Sequence, residues 1–295
     1  MRTTGRGALA TLLALSLLLI VAGAPVTALT VQRTWSAKVG TNGANGTVTM
    51  RAYTSGAGSI TYGLRGLRAS AAYTVQIRTG SCSSLGSVVA RLTQIHTSST
   101  GVVSRINSID SGTMGWVWSA ARSPSFVIRV VSGTSARCGS FSFAHATRVS
   151  VSGIGIDLPV IRGTSGYPPC RVALYLPRVS QPREPGITFI YAHARTGMFL
   201  PLLTSWRNNR GSSLMGRTVK VWTSDSRVVY YRINKVRVTA NVMAGVTSLT
   251  NERLWLQTST GPNTSYPKLV VEAYRYATYT ATYAASHPAA HPITC

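Results

Sequence analysis

The chain has few acidic residues. Six Asp and Glu stand against 30 Lys and Arg among 295 residues, which gives a net charge of +24. A protein this basic is attracted to acidic partners such as an anionic wall polymer, lipid headgroups or nucleic acid. However, the basic residues are spread singly along the sequence, which lacks both a Lys/Arg-dense run and a nucleic-acid motif. We therefore expect no nucleic-acid partner. An anionic envelope polymer is the favoured acidic partner, and a solvated basic surface is the alternative.

Long hydrophobic runs are also scarce, since the only one is near the start. Arg2 and Arg6 precede the apolar segment Ala8 to Ala22, and the small-residue stretch Pro25 to Ala28 follows it. This is the pattern of a signal peptide cleaved after Ala28. The segment is short of the roughly 20 residues that cross a bilayer. We predict that residues 1–28 are a signal peptide and that the protein is secreted and associated with the cell surface. Any membrane contact would be through an uncleaved signal sequence.

Only four cysteines are present: Cys82, Cys138, Cys170 and Cys295. Disulfides persist in the compartment that a signal peptide implies, and four cysteines allow three pairings. We favour a Cys82–Cys138 bridge because both residues lie in one predicted domain and are flanked by Gly and Ser at strand ends. Such a bridge should stabilise the fold by about 4 kcal/mol through loop entropy. Cys170 and Cys295 could then pair or stay free.

Residues 29–148 show short strands separated by turn residues. Val48, Met50 and Ala52 alternate with polar neighbours, and Asn45-Gly46 supplies a turn. No helical stretch is evident there. This pattern is typical of a β-sandwich, and it gives the chain an all-β fold class.

This first domain is similar to bacterial sandwich modules related to chordin repeats and to copper-zinc superoxide dismutase. The resemblance is carried by Gly63–Leu67, Tyr73–Cys82 and Arg137–Gly139. A dismutase needs a cluster of histidines, but this half has only His96 and His145, with Arg78 where an imidazole would be wanted. We expect no metal or other cofactor and interpret the domain as a non-catalytic spacer or binding module.

In the second half, two strands end and one strand begins at residues that could carry chemistry. The segment Gly186 to Arg195 is a strand closed by His193; Leu254 to Gly261 is an apolar strand ending at Thr258-Ser259; and Lys268 opens the next strand. This order resembles the sortases, cell-surface cysteine transpeptidases built on a closed β-barrel. The sortase pattern is Thr-Leu-x-Thr-Cys followed by an arginine. Ser259 stands where the cysteine belongs, and Lys268 stands where the arginine belongs.

The resemblance places a sortase-like barrel at residues 149–275. Within it, Gly216–Trp222 and Val228–Ile233 predict a hairpin, and Met198–Leu203 a helical turn beside His193. Residues 276–295 are rich in Tyr, Ala and Thr, and we expect them to form a mobile tail.

By resemblance, Ser259 would be the nucleophile, His193 the acid and base, and Lys268 the cation that steadies the substrate. Extended peptides would lie in a groove lined by Tyr191, Phe199, Trp255 and Thr258, beside the connection from Asn234 to Arg253. A serine hydroxyl, unlike a cysteine thiol, needs a neutral imidazole held by a third group. No carboxylate is near His193 in the sequence. Lys268 lacks the bidentate fork of arginine.

We therefore favour a non-catalytic module that binds an extended peptide or an anionic cell-wall polymer. The alternative is an active serine variant, a transpeptidase or peptide hydrolase that uses Ser259 and His193. A displaced Cys170 nucleophile is a third and weaker possibility.

Overall fold

A computed structural model of the chain describes residues 30–120, 126–164, 167–243, 251–261 and 267–295. The predicted signal peptide lies outside these residues. Within them, no helix combines the length and the apolar character needed to cross a membrane.

The first domain is one eight-stranded antiparallel sheet that folds over on itself. Its strands, in chain order, are β1 Val31–Val39, β2 Gly46–Tyr53, β3 Gly58–Leu64, β4 Ala72–Gly80, β5 Leu85–His96, β6 Val103–Ile109, β7 Phe126–Ser132 and β8 Ser135–Ser142. The order in the sheet is β5-β4-β7-β8-β1-β2-β3-β6. Only two residue pairs, Ser36 with Ser142 and Ala37 with Phe141, join the β1 half to the β8 half. Inward residues of both halves share one core, as a β-sandwich requires.

The first domain contains a helix, so the expectation that residues 29–148 have no helix is wrong. Helix α1 covers Ser111–Ala120, and its Met114 and Val117 are buried in the sandwich core. The Asp110 carboxylate accepts a hydrogen bond from the Thr113 amide at 2.8 Å, which caps the first turn. That bond lowers the pKa of Asp110. Two glycines in ten residues disguise the helix in the sequence, because glycine has a low helix propensity.

The second domain is a closed barrel, as predicted. Its strands are β9 Ala146–Val151, β10 Ile156–Arg162, β11 Ala173–Tyr175, β12 Ile187–Tyr191, β13 Thr218–Thr223, β14 Arg227–Thr239, β15 Arg253–Ser259 and β16 Lys268–Thr280. They close in the order β10-β11-β12-β15-β16-β14-β13-β9. Strands β13 and β14 form the predicted hairpin. Helix α2, Leu200–Asn209, follows β12 and places Leu202 and Leu203 in the barrel core.

Residues 276–295 differ from the mobile tail that composition suggests. Strand β16 continues to Thr280, and helix α3 covers Tyr283–Ser286, with its N-terminus capped by the Thr282 side chain. Cys170 and Ile293 exchange backbone hydrogen bonds of 2.8 and 3.3 Å. A disulfide joins Cys170 to Cys295. The covalent link and the cap order a segment whose composition alone predicts no structure.

Both disulfides are therefore defined. The predicted Cys82–Cys138 bridge is confirmed. Because Cys170 is bonded to Cys295, it has no thiol, and the displaced-nucleophile hypothesis is wrong.

A buried ion pair connects the two domains. Arg33 of β1 has a side chain that is 2% exposed, and Glu184 of the barrel has one that is 13% exposed. The Arg33 guanidinium donates to both Glu184 carboxylate oxygens at 2.8–3.1 Å, and to the carbonyls of Pro177 and Val179. It also lies 4.9 Å from the centre of the Trp118 ring. The interface thus contains an almost fully enclosed arginine, and Phe143 packs against the cores of both domains.

Candidate functional site

The three predicted site residues lie at one rim of the barrel. Strands β12 and β15 run parallel, with Tyr191 opposite Gln257. Parallel strands end at the same edge of a sheet, so His193, just after β12, and Ser259, the last residue of β15, come to that edge together. The antiparallel pairing of β15 with β16 places Lys268 directly opposite Ser259.

His193 and Ser259 line one small cavity of about 230 Å³. The other lining residues are Tyr167, Ala194, Arg195, Leu200, Leu203, Arg207 and Gly261. This lining contains two arginines and no acidic residue. The cavity is therefore suited to a ligand that carries negative charge.

A backbone carbonyl holds the His193 ring in its orientation. Its Nε2 lies 2.7 Å from the carbonyl oxygen of Pro168, and the Tyr167 ring lies 4.8 Å away, centre to centre. A carbonyl oxygen can only accept, so Nε2 carries the hydrogen and Nδ1 holds the lone pair of the neutral ring. Pro168 thus supplies the third group that a serine–histidine pair requires, although it is a carbonyl and not a carboxylate.

The Pro168 segment is itself held by the end of the chain. The Cys170–Cys295 disulfide and the paired backbone of Ile293 fix it, and Arg195 donates to the Cys295 carbonyl at 3.4 Å. We call Tyr167–Cys170 with Ile293–Cys295 the clamp. The clamp determines which His193 nitrogen is available to a ligand.

Two features are less favourable to catalysis. His193 and Ser259 are both described, and no hydrogen bond joins them. Burial lowers the pKa of the Lys268 ammonium opposite Ser259, a shift in the direction that disfavours its positive charge.

Every carboxylate of the barrel is committed elsewhere. The salt bridges are Arg33–Glu184, Arg148–Asp157, Arg183–Asp225, Arg275–Glu252 and Arg237–Glu272. The remaining acidic residue of the chain, Asp110, caps α1. No side-chain carboxylate is therefore left to support His193 or to neutralise the arginines of the cavity.

The four predicted groove residues are not part of this cavity. Phe199 and Thr258 are fully buried, with Phe199 inside the barrel core and the Thr258 hydroxyl donating to the Ala192 carbonyl at 2.8 Å. Trp255 is 3% exposed and packs in a small cluster on the outer sheet face, with the Arg237 guanidinium 4.8 Å from its ring centre. Phe199, Trp255 and Thr258 therefore have buried side chains, which do not line an open groove, whereas Tyr191 is half-buried.

The connection from Asn234 to Arg253 was predicted to shape the groove. Its first part is not a loop, since β14 continues to Thr239. Residues 244–250 of it lie outside the described residues.

The sequence analysis missed Tyr167, Pro168, Arg195 and Arg207 as residues of the site. Arg195 follows His193 by two positions, so its location at the rim could have been expected. Arg207 is held there by a bond of 3.1 Å to the Thr260 carbonyl. Tyr167 and Pro168 reach the site through the clamp, and no local pattern in the sequence announces that.

Comparison with known proteins agrees with the architecture of the second half. Residues 149–276 match the protein-family model described as Sortase domain. No match was found among curated proteins.

Several solved sortase structures are similar to this chain. Listeria monocytogenes sortase A shows 15% identity and a TM-score of 0.36, over 46% of this chain and 91% of that one. The pilus-related sortase C of Group B Streptococcus shows 19% identity and a TM-score of 0.37, over 45% and 68%. Streptococcus pneumoniae sortase C shows 20% identity and a TM-score of 0.37, over 46% and 70%.

Proposed function

We propose that the second domain is a sortase-like module that binds an extended, carboxylate-bearing peptide at the His193–Ser259 cavity without cleaving it. The observation that carries the proposal is the composition of the cavity. Arg195 and Arg207 line it, and each of the six Asp and Glu side chains is engaged elsewhere.

The chemistry of the rim supports binding over turnover. We infer that Ser259 occupies the position of the sortase cysteine nucleophile. A hydroxyl is a far weaker acid than a thiol, and Ser259 has no hydrogen bond to His193 that would activate it. Lys268 replaces a bidentate guanidinium by a single ammonium, and loss of one oxyanion donor typically costs roughly 3 kcal/mol in the transition state.

We also propose that the protein acts outside the cytoplasm, with the sandwich as a non-catalytic spacer. Two disulfides are compatible with an oxidising compartment. The resemblance of the sandwich to chordin-repeat modules stays a prediction.

The binding proposal is tested with matched peptides. A panel of hexapeptides ending in a free carboxylate is titrated by calorimetry against the same panel ending in an amide. We expect the carboxylates to bind about tenfold more tightly, as a charge-assisted hydrogen bond allows. Arg195→Gln should remove that difference, whereas Arg210→Gln, an exposed arginine over Trp206, should retain it. Equal affinity for acid and amide peptides would contradict the proposal.

One observation favours a second function, an active serine variant. The Pro168 carbonyl at 2.7 Å orients His193 as a third group would, and leaves Nδ1 as the base. Substrate binding could then bring Ser259 within reach, since catalytic hydrogen bonds often tighten only in complexes.

Intact mass after treatment with a fluorophosphonate probe distinguishes the two functions. A binding module leaves Ser259 unlabelled, and a thiol introduced by Ser259→Cys is no more reactive than a free one. Single labelling at Ser259 that disappears in His193→Ala would establish the enzyme instead.

A further inference from the structure

A second surface of the barrel has a composition unlike the rest of the protein. Tyr230, Tyr276 and Tyr279 lie on the outside of the β13-β14-β16 sheet together with Lys220 and Arg232. We call these five residues the aromatic face. Tyr276 is 44% exposed and Tyr279 59%, unusually high for large aromatic side chains grouped on one surface.

The alternation of the strands places these side chains outside. Val219, Val221, Val229 and Tyr231 point into the barrel core. Residues that alternate with them, Lys220 and Tyr230, therefore point outward and are cross-strand partners.

A bulge adds Tyr276 to the same face. Tyr230 pairs with Ala277 and Tyr231 pairs with Arg275, so β16 carries one extra residue, Tyr276, between them. A bulge redirects the side chain of the extra residue. Here the Tyr276 hydroxyl reaches Thr218 at 3.1 Å, and its ring centre lies 6.0 Å from that of Tyr230.

The rings and the cations are arranged as pairs. The Arg232 guanidinium lies 5.0 Å from the Tyr276 ring centre, and the Lys220 ammonium 5.5 Å from that of Tyr230. Tyr279 meets Tyr230 edge to face at 5.3 Å. Stacking on a ring holds a guanidinium flat, and its donors remain in its plane, where they can meet a carboxylate.

The two cations have no carboxylate partner. All six acidic residues of the chain are described, and each is engaged at another place. The aromatic face therefore combines flat, amphipathic rings with uncompensated positive charge. Tyrosine rings offer an apolar plane for the C–H face of a ligand and a hydroxyl for its polar edge.

We propose that the aromatic face binds a polysaccharide whose repeating sugars carry carboxylates. Sugar rings would pack on Tyr276 and Tyr279, while Arg232 and Lys220 would receive the carboxylates. A polysaccharide fits better than a nucleic acid because the two disulfides belong to an oxidising compartment, where nucleic acids are not the usual ligands. It fits better than an acidic peptide because the face presents several ring planes on two strands, which match the C–H faces of successive sugars.

Calorimetry with polygalacturonate tests this proposal, with uncharged dextran, polyglutamate and oligothymidylate as comparison ligands. We expect polygalacturonate alone to bind measurably, with an affinity that falls as salt rises. Tyr276→Ala, Tyr279→Ala and Arg232→Gln should each weaken binding about tenfold, the loss expected when an anchoring aromatic or arginine is truncated.

Two controls separate this surface from other effects. Tyr283→Ala removes a tyrosine that is 72% exposed on α3, outside the face, and should leave binding unchanged. Arg195→Gln alters the cavity of the proposed function and its contact with Cys295, both outside the aromatic face, so it should also bind polygalacturonate normally. Equal binding of polyglutamate or oligothymidylate, or full affinity in the face variants with their thermal unfolding unchanged, would overturn the proposal.

Discussion

Loss of Arg33 should cost more stability than loss of any other arginine in the protein. Its guanidinium bonds to both oxygens of Glu184 and to two barrel carbonyls, in a position that is 2% exposed. Replacement by Met retains the apolar contact with Trp118 but leaves the Glu184 carboxylate enclosed without its cation. The remaining donor to that carboxylate is the backbone N–H of Gln181, at 2.7 Å. Breaking a buried pair on one side typically costs about 3–5 kcal/mol. A domain protein has a total stability of about 5–15 kcal/mol, so the loss would be a large part of it.

Urea denaturation of the mature protein measures this cost. Arg33→Met should shift the midpoint strongly, and the double variant Arg33→Met/Glu184→Gln should recover part of the loss because it no longer encloses a lone charge. The matched control is Arg148→Met, which breaks a pair that is 29% and 51% exposed and should cost under about 1 kcal/mol.

Calorimetry of thermal unfolding shows whether the two domains unfold together or separately. If Arg33 joins the domains energetically, the wild type should unfold in one transition and Arg33→Met in two. A loss below about 1 kcal/mol in Arg33→Met, equal to that of Arg148→Met, would refute the claim that this pair holds the interface.

Three further predictions concern the barrel and the domain seam. Burial lowers the pKa of His145, whose Nδ1 lies 3.0 Å from the Phe143 carbonyl, so folding favours the neutral ring. The free energy of unfolding that this site contributes is therefore fully present above about pH 6.5 and falls as the pH drops below that value. Urea midpoints measured from about pH 7.5 to 5 should show this decline, and His145→Gln should make it smaller. Cys295→Ala opens a link across 125 residues and should cost about 4–5 kcal/mol by the loop-entropy model, measured as a lower urea midpoint; an unchanged midpoint would contradict the tethering role. Thr258→Val removes the buried bond to Ala192 and should cost about 1–2 kcal/mol, whereas a neutral result would mean that the carbonyl finds another donor.

Much of the fold follows from local patterns. Alternation of apolar and polar residues along the strands predicts both β domains. The resemblance of two strand ends to those of the sortases places His193 and Ser259 at one rim. The inward position of Thr258 was also available, since it is in phase with Leu254 and Leu256 of the core. Its assignment to a groove overlooked that alternation.

The rest depends on contacts between distant parts of the chain. Nothing near residue 168 signals that its carbonyl holds His193, because the contact joins two separate segments that only the folded barrel brings together. Trp255 is buried in a cluster with Val242 and with Phe189 of the neighbouring strand β12, and the contact with Val242 joins distant parts of the chain. Helix α1 was concealed for a different reason: its glycines weaken the local signal, and tertiary burial of Met114 compensates for them.

The two disulfides also decide how the protein would carry mechanical load. They join residues separated by 56 and 125 positions, Cys82 with Cys138 and Cys170 with Cys295. A pulling force applied between Thr30 and Cys295 would pass from Cys170 directly to Cys295 and bypass strands β11 to β16. The strands β12 and β15, which bring His193 and Ser259 to the rim, would therefore lie off the covalent load path, and the chain could lengthen fully only after both bridges were reduced.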